Sequence, residues 1–330
     1  MKLAHDSGFR AIVLSAVWKD GASATADLPP LQRAVDAAVQ EHVRPVLAVY
    51  QLSSATPGDP ARRAAFAAYA AALAKALPDV HDVIVGNEPN LNLFWMPQFG
   101  LSGRDLAAVG YERLLARTYD AVKGAAPQVE VLGGALAHSG ADKPGTGRDT
   151  HSPARFILDL GAAYRASHRT KPIMDAFTYH PYMERSDLSP TLRHPQSKTL
   201  TIADYARLVS LLGRAFDGTG QAGTTLPIVY DEFGVEAHVP AAHSSEYRGR
   251  EPASTHPVSE TTQAAYYAAA FRLAACQPTV RAIMIFQLVD SPLRSGFQSG
   301  VFYADRYTPR STRARIAAAA ARYRERKDCG

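Results

Sequence analysis

Short, largely β-branched apolar runs alternate with longer alanine-rich helical patterns from one end of the chain to the other, and no other feature restricts the fold as much. The runs fall at 11–18 (AIVLSAVW), 44–51 (RPVLAVYQ), 82–88 (DVIVGNE), 129–136 (VEVLGGAL), 174–182 (MDAFTYHPY), 227–234 (PIVYDEFG) and 281–290 (RAIMIFQLVD). Helical patterns lie near 29–41, 60–77, 103–125, 153–168, 201–216, 260–275 and 309–326. Repeated βα units of this kind pack a parallel sheet beneath helices. With 330 residues, 46% of them hydrophobic, the chain has enough apolar material for one large core.

Polar, chemically capable residues gather just after the C-terminal ends of the runs, whereas the helix-to-strand connections HVRP, PDVHD and PQVEV are short and bland. A (β/α)8 barrel builds its active face from the loops that follow its strands, so this asymmetry is the one it produces. A doubly wound open sheet would instead open with a glycine-rich phosphate turn, and the sequence has none. The expectation is therefore a single (β/α)8 TIM-barrel catalytic domain over 1–330. The opening stretch HDSGFRAIVLSAVW reads as the tail of a first helix entering a second strand, so the first strand is expected to be missing and the domain N-terminally incomplete. The polar segments 138–152, 183–200 and 236–259 sit where rim loops belong and are expected to wall a cleft.

The formal net charge is +5 and the pI about 9.1, yet Lys and Arg are scattered and form no dense basic block, which argues for solubility and against a nucleic-acid partner. No apolar run approaches the ~20 residues that cross a bilayer, and MKLAHDSGFR lacks the apolar centre of a signal peptide. A monomer without membrane partners is expected. The two cysteines, Cys276 and Cys329, are too few for a zinc site and form no Cys-x-x-Cys pair.

Two strand ends carry a glutamate in a polar context: Glu88 in GNEPN and Glu232 in VYDEFG. Three strand intervals separate them, which in an eight-membered ring sets the carboxyl groups across the mouth from each other. Two carboxylates flanking one bond are what glycoside cleavage needs, one to donate a proton and one to act as nucleophile or base. With Asn87-Glu88-Pro89 closing one strand, His180-Pro181-Tyr182 closing the strand two units later and Glu232-Phe233-Gly234 closing the next, the chain resembles clan A glycoside hydrolases, the superfamily containing families 5 and 39. The resemblance implies a retaining mechanism on a β-linked oligosaccharide, polysaccharide or simple glycoside. Glu88 would be acid/base, Glu232 nucleophile, Asn87 a donor to the sugar 2-hydroxyl, and Tyr182 a donor to the nucleophile, with His180 lining the same pocket. It implies no metal or organic cofactor. A catalytically inactive sugar-binding barrel and a transglycosylase using the same residues are the alternatives.

Because successive strand side chains alternate, Asp231 is expected to point away from the axis. By the same rule Asn87 and Glu88 would face apart, so a bulge or strong twist must turn both toward the sugar. Trp95, in the aromatic loop NLFWMPQF, is a candidate for stacking on a sugar ring, with Tyr50 and Trp18, the last equally readable as core. The sequence departs from the clan at two places. Val13 stands where many members carry an arginine that supports the nucleophile, with Arg10 three residues earlier expected to face the other way. The last strand offers Phe286 and Gln287 where a tryptophan often lies. A metal-dependent hydrolase could draw on His180 and Asp290 but would want a His-x-His pair, which is absent. Cys276, near the end of the seventh helix, and Cys329, after the eighth, fall at the same end of the ring, so they are placed to form a bridge, with the oxidising, extracellular setting it implies, the alternative being two unrelated thiols.

Overall fold

The computed structural model describes residues 1–324. Seven strands, β1 (Ala11–Val17), β2 (Arg44–Tyr50), β3 (Asp82–Val85), β4 (Glu130–Ala137), β5 (Ala176–His180), β6 (Ile228–Phe233) and β7 (Val280–Ile285), form one parallel sheet in sequential order. Its helices are α1 (Lys2–Asp6), α2 (Ala24–Gln40), α3 (Pro60–Ala76), α4 (Leu106–Ala125), α5 (Pro153–Ala166), α6 (Tyr205–Phe216), α7 (Glu260–Ala275) and α8 (Arg313–Arg324). The sheet curls as a TIM barrel does, and among the described residues nothing pairs β7 with β1.

Helix starts follow local chemistry. Asp59 accepts from the amides of Ala61 and Arg62 ahead of Pro60, and Asp105, Ser152 and Ser259 cap α4, α5 and α7 in the same way. Helix α2 begins at Ala24, five residues ahead of the expected start, and carries Pro29 and Pro30 within it. The main core lies between sheet and helices, while a second cluster fills the concave side with small and branched residues, among them Val46, Ala48, Ile84, Leu132 and Val229. Cys276 is the C-cap of α7. Its expected partner Cys329 lies outside the described residues. Among the described residues no helix is long and apolar enough to cross a membrane.

The strand ends depart from regular pleating where the chemistry was expected. Strand β3 stops at Val85, and the next turns are made with Gly86 at φ 86° and Glu88 at φ 39°. These left-handed residues replace simple alternation and supply the twist that the Asn87-Glu88 pair requires. Strand β4 bulges between Gly134 and Leu136. A Cβ on Gly134 would lie 2.5 Å from the Thr178 carbonyl oxygen, so glycine is required at that turn. The bulge turns the Ala135 carbonyl to accept the Glu88 amide at 2.7 Å.

Candidate active site

A cavity of about 890 Å³ opens at the C-terminal ends of the strands and contains the carboxylates singled out from sequence. Glu88 is held from beneath by backbone. Besides the Ala135 bond, the buried Tyr111 hydroxyl donates to the Val85 carbonyl and accepts from the Gly134 amide, both at 2.7 Å, tying the end of β3 to the bulge in β4. Asn90, fully buried, locks the following turn onto β4: its amide donates to the carbonyls of Ala137 and His151, and its oxygen accepts from the Ala137 amide.

His180, at the end of β5, is completely buried and connects the acids. Its Nδ1 lies 3.0 Å from Glu88 Oε1 and 3.6 Å from Glu232 Oε2, and its Nε2 lies 3.4 Å from Asp231 Oδ2. It therefore sits under the two glutamates and is not part of the cavity wall, which corrects the expectation that it lines the pocket. Burial opposes its positive charge, but Glu232 and Asp231 outweigh that and hold the imidazole protonated well above its ordinary range. With both glutamate oxygens this close to one nitrogen, their separation cannot exceed about 6.6 Å, which overlaps the ~5–5.5 Å of retaining enzymes.

The Tyr182 hydroxyl donates to Glu232 Oε2 at 3.0 Å, as expected, and its ring stacks on Phe233. Burial pushes the Glu232 carboxyl up to about 7, against the opposing pull of protonated His180 and the Tyr182 hydroxyl. Asp231 does not point away. It reaches the cavity and the far side of His180, because the register of β6 against β7 shifts between Tyr230 and Phe233, which breaks strict alternation.

Asn87, Tyr50 and Gln287 face the cavity, as expected. Both tryptophans belong to the core. Trp18 is 1% exposed and packs edge-on against Phe66, and Trp95 is 2% exposed, edge-on to Tyr111 and pressed over Gly110. Phe94, one residue before Trp95, turns into the cavity and meets Tyr50 edge-on at 6.3 Å. The aromatic wall is therefore Tyr50–Phe94, because the loop buries its larger ring and exposes the smaller. Val13 and Arg10 both face the cavity, so Arg10 does not point the other way. Its guanidinium donates to the Phe9 carbonyl, far from a support for Glu232.

Sequence reasoning missed several residues. His138, just past β4, lines the cavity and is kept neutral by burial. Phe297 comes from the long loop after β7 and lies 5.9 Å from the Tyr182 ring. Glu236 lines the cavity with its carboxyl lifted by burial to about 7. Its place at alternate spacing from Glu232 and Gly234 was the available signal. Asp290 is engaged by buried Arg310 at 2.6 Å and by the Tyr247 hydroxyl at 2.6 Å, which leaves it no role as a metal ligand. Among the described residues no three His, Cys, Asp or Glu side chains are grouped to hold a metal ion.

No protein-family model and no curated protein matches the sequence. Solved structures do. A family 39 glycoside hydrolase from the gut symbiont Bacteroides cellulosilyticus WH2 superposes with a TM-score of 0.64 at 18% identity, over 97% of this chain and 59% of its own. A β-glucosidase from Thermotoga maritima in complex with deoxynojirimycin gives 0.61 at 13% identity, over 98% of this chain and 85% of its own. A family 39 β-xylosidase from Caulobacter crescentus gives 0.58 at 17% identity, over 96% and 65%. The chain thus spans well under two thirds of the first of these, and at such identities the likeness speaks to architecture: this is the TIM-barrel-like fold those hydrolases share.

Proposed function

We propose that the chain is a retaining glycoside hydrolase that cleaves a β-linked glycoside by double displacement, within one catalytic domain in which seven of the ring's eight strand places are filled. The observation that carries this reading is the shared imidazole: Glu88 and Glu232, from β3 and β6, each approach the same nitrogen of His180 inside one cavity. The fold shared with glycosidases of families 39 and 5 supports it.

In this reading Glu232 attacks the anomeric carbon while Glu88 gives its proton to the leaving oxygen, forming a glycosyl ester on Glu232 and a free alcohol. Glu88 then removes a proton from water, which attacks the same carbon and releases Glu232. Tyr182 stabilises the ionised nucleophile through its hydroxyl. Protonated His180 offsets the charge of two or three neighbouring carboxylates and fixes their spacing. Asn87 is placed to donate to the sugar and the Tyr50–Phe94 wall to stack on it, with Gln287 contributing from the end of β7.

The test is turnover of a panel of β-linked disaccharides and alkyl β-glycosides, whose leaving groups must be protonated, by the wild type, Glu88→Ala and Glu232→Ala. The wild type should hydrolyse at least one member with the β-anomer as first product, and each alanine variant should lose that activity. Full activity in either variant rejects the assignment, and binding without turnover by the wild type favours a sugar-binding protein.

A further inference from the structure

Shortly past Glu232 the chain brings a further carboxyl, that of Glu236, into the same cavity. Gly234 lies between them and keeps that stretch of wall flat: a Cβ there would lie 2.5 Å from the Phe286 carbonyl oxygen and 3.2 Å from the Tyr182 ring. Three loops fix Glu236 in place. Its amide donates to Ser186 Oγ at 3.0 Å and its carbonyl accepts from the Val258 amide at 3.0 Å, while the Ser186 amide donates to the Thr255 carbonyl. The Ala237 amide donates to the Gln298 carbonyl, which buried Arg310 also reaches, so the loop after β7 is tied to the same wall. The backbone is pinned and the side chain is not neutralised. Burial lifts its carboxyl to about 7, the Gln298 amide opposing and Glu251 and Asp290 adding to the rise, and no cation is among these influences.

The rest of the wall carries the same sign. Glu88, Glu184, Asp231 and Glu232 line the cavity with Glu236, against two arginines. Arg185 is committed to both carboxylate oxygens of Asp187, and Arg10 precedes the first residue of β1, at the end of the strands remote from Glu236. Protonated His180 is shared beneath Glu88, Glu232 and Asp231, and His138 is kept neutral. A glycone bearing a carboxylate would therefore meet like charges with no cation left at the mouth to pair with it. Hydroxyls can donate to a carboxylate without adding charge.

We propose that Glu236 is a specificity-determining residue: its carboxyl accepts hydroxyls of a neutral glycone and turns away uronic acids. The inference rests on the glycosidase reading for the place of the sugar beside Glu232 and adds the substrate class, neutral glycosides. Four residues of chain keep Glu236 within about 14 Å of the nucleophile, and the cavity-lining Ser186 and Thr255 supply further hydroxyl partners on the same wall.

Binding tests it, measured by calorimetry at pH 8 with D-glucose against D-glucuronate and D-galactose against D-galacturonate. The wild type should bind at least one neutral sugar, with its matched uronate at least about tenfold weaker. Glu236→Gln, which removes the charge at constant shape, should shrink that ratio at least about threefold, and Glu236→Lys should make the uronate bind at least about tenfold tighter than it does to the wild type. A wall that had merely lost its shape would weaken both sugars together and leave the ratio alone. An unchanged ratio in both variants would overturn the proposal, as would a wild type that prefers the uronate or binds no neutral sugar at up to about 100 mM. D-Glucosamine binding more than about tenfold tighter than D-glucose, with the gain lost in Glu236→Gln, would overturn it in favour of a cationic glycone. Turnover is read separately. An unchanged ratio beside an active wild type leaves Glu88 and Glu232 standing, and a wild type without turnover removes the glycosidase reading while the sugar ratio still decides the role of Glu236.

Discussion

Replacing Tyr182 with phenylalanine removes one hydroxyl and leaves the ring stacked on Phe233, so it isolates the bond to Glu232. A hydrogen bond to a charged group contributes about 1.5–3 kcal/mol, and here it favours the ionised carboxylate alone. Losing it raises the Glu232 pKa by about one to two units from its value of about 7. The sign follows from the chemistry: the nucleophile works ionised, so activity falls as pH drops through its pKa, and a higher pKa moves that acid limb upward. At pH 7 the ionised share drops from about half to roughly 1–9%, a loss of about 5- to 50-fold in kcat/KM. The assay is the pH profile of kcat/KM on a 2,4-dinitrophenyl β-glycoside, whose leaving group needs no proton and so removes Glu88 from the limb. A wild-type profile flat between pH 5 and 9, or an acid limb unmoved in Tyr182→Phe, would refute the reasoning.

Burial raises the Glu232 pKa, so its contribution to folding is full at low pH and is lost as pH rises through about 7. Glu232→Gln should therefore gain about 3 kcal/mol over the wild type at pH 8 and little at pH 4, read by urea unfolding, and a gap independent of pH would contradict the burial argument. Asn90→Ala leaves the Ala137 amide and two carbonyls without partners and should cost about 2–4 kcal/mol by thermal unfolding while lowering kcat/KM, because the turn carrying Glu88 loses its anchor. Phe94→Ala should raise KM with little change in Tm, whereas Trp95→Ala should cost about 3–5 kcal/mol of stability. The opposite pattern would place the sugar wall at Trp95.

The βα alternation was legible because buried parallel strands read as continuous apolar runs, and the catalytic strand ends were legible because charged residues interrupt those runs at Glu88 and Glu232. What period-two reasoning cannot supply is the backbone at those ends. The left-handed turns at Gly86 and Glu88 and the irregular register of β6 decide where Asn87 and Asp231 point, and neither follows from hydrophobic pattern. Phe94 and Trp95 are adjacent aromatics in one loop, and only the packing space over Gly110 decides which is core. His180 was readable as a site residue, but its burial beneath both glutamates depends on three strands meeting, which no local pattern encodes.

The central claim is that Glu232 and Glu88 act on opposite faces of one sugar. Azide rescue of the two alanine variants on an activated aryl β-glycoside, with the products assigned by NMR, tests it directly. Azide filling the space left in Glu232→Ala attacks from the nucleophile's side and should give the α-glycosyl azide. In Glu88→Ala it intercepts the glycosyl-enzyme and should give the β-anomer. The same anomer from both variants, or no rescue of either, would contradict the account.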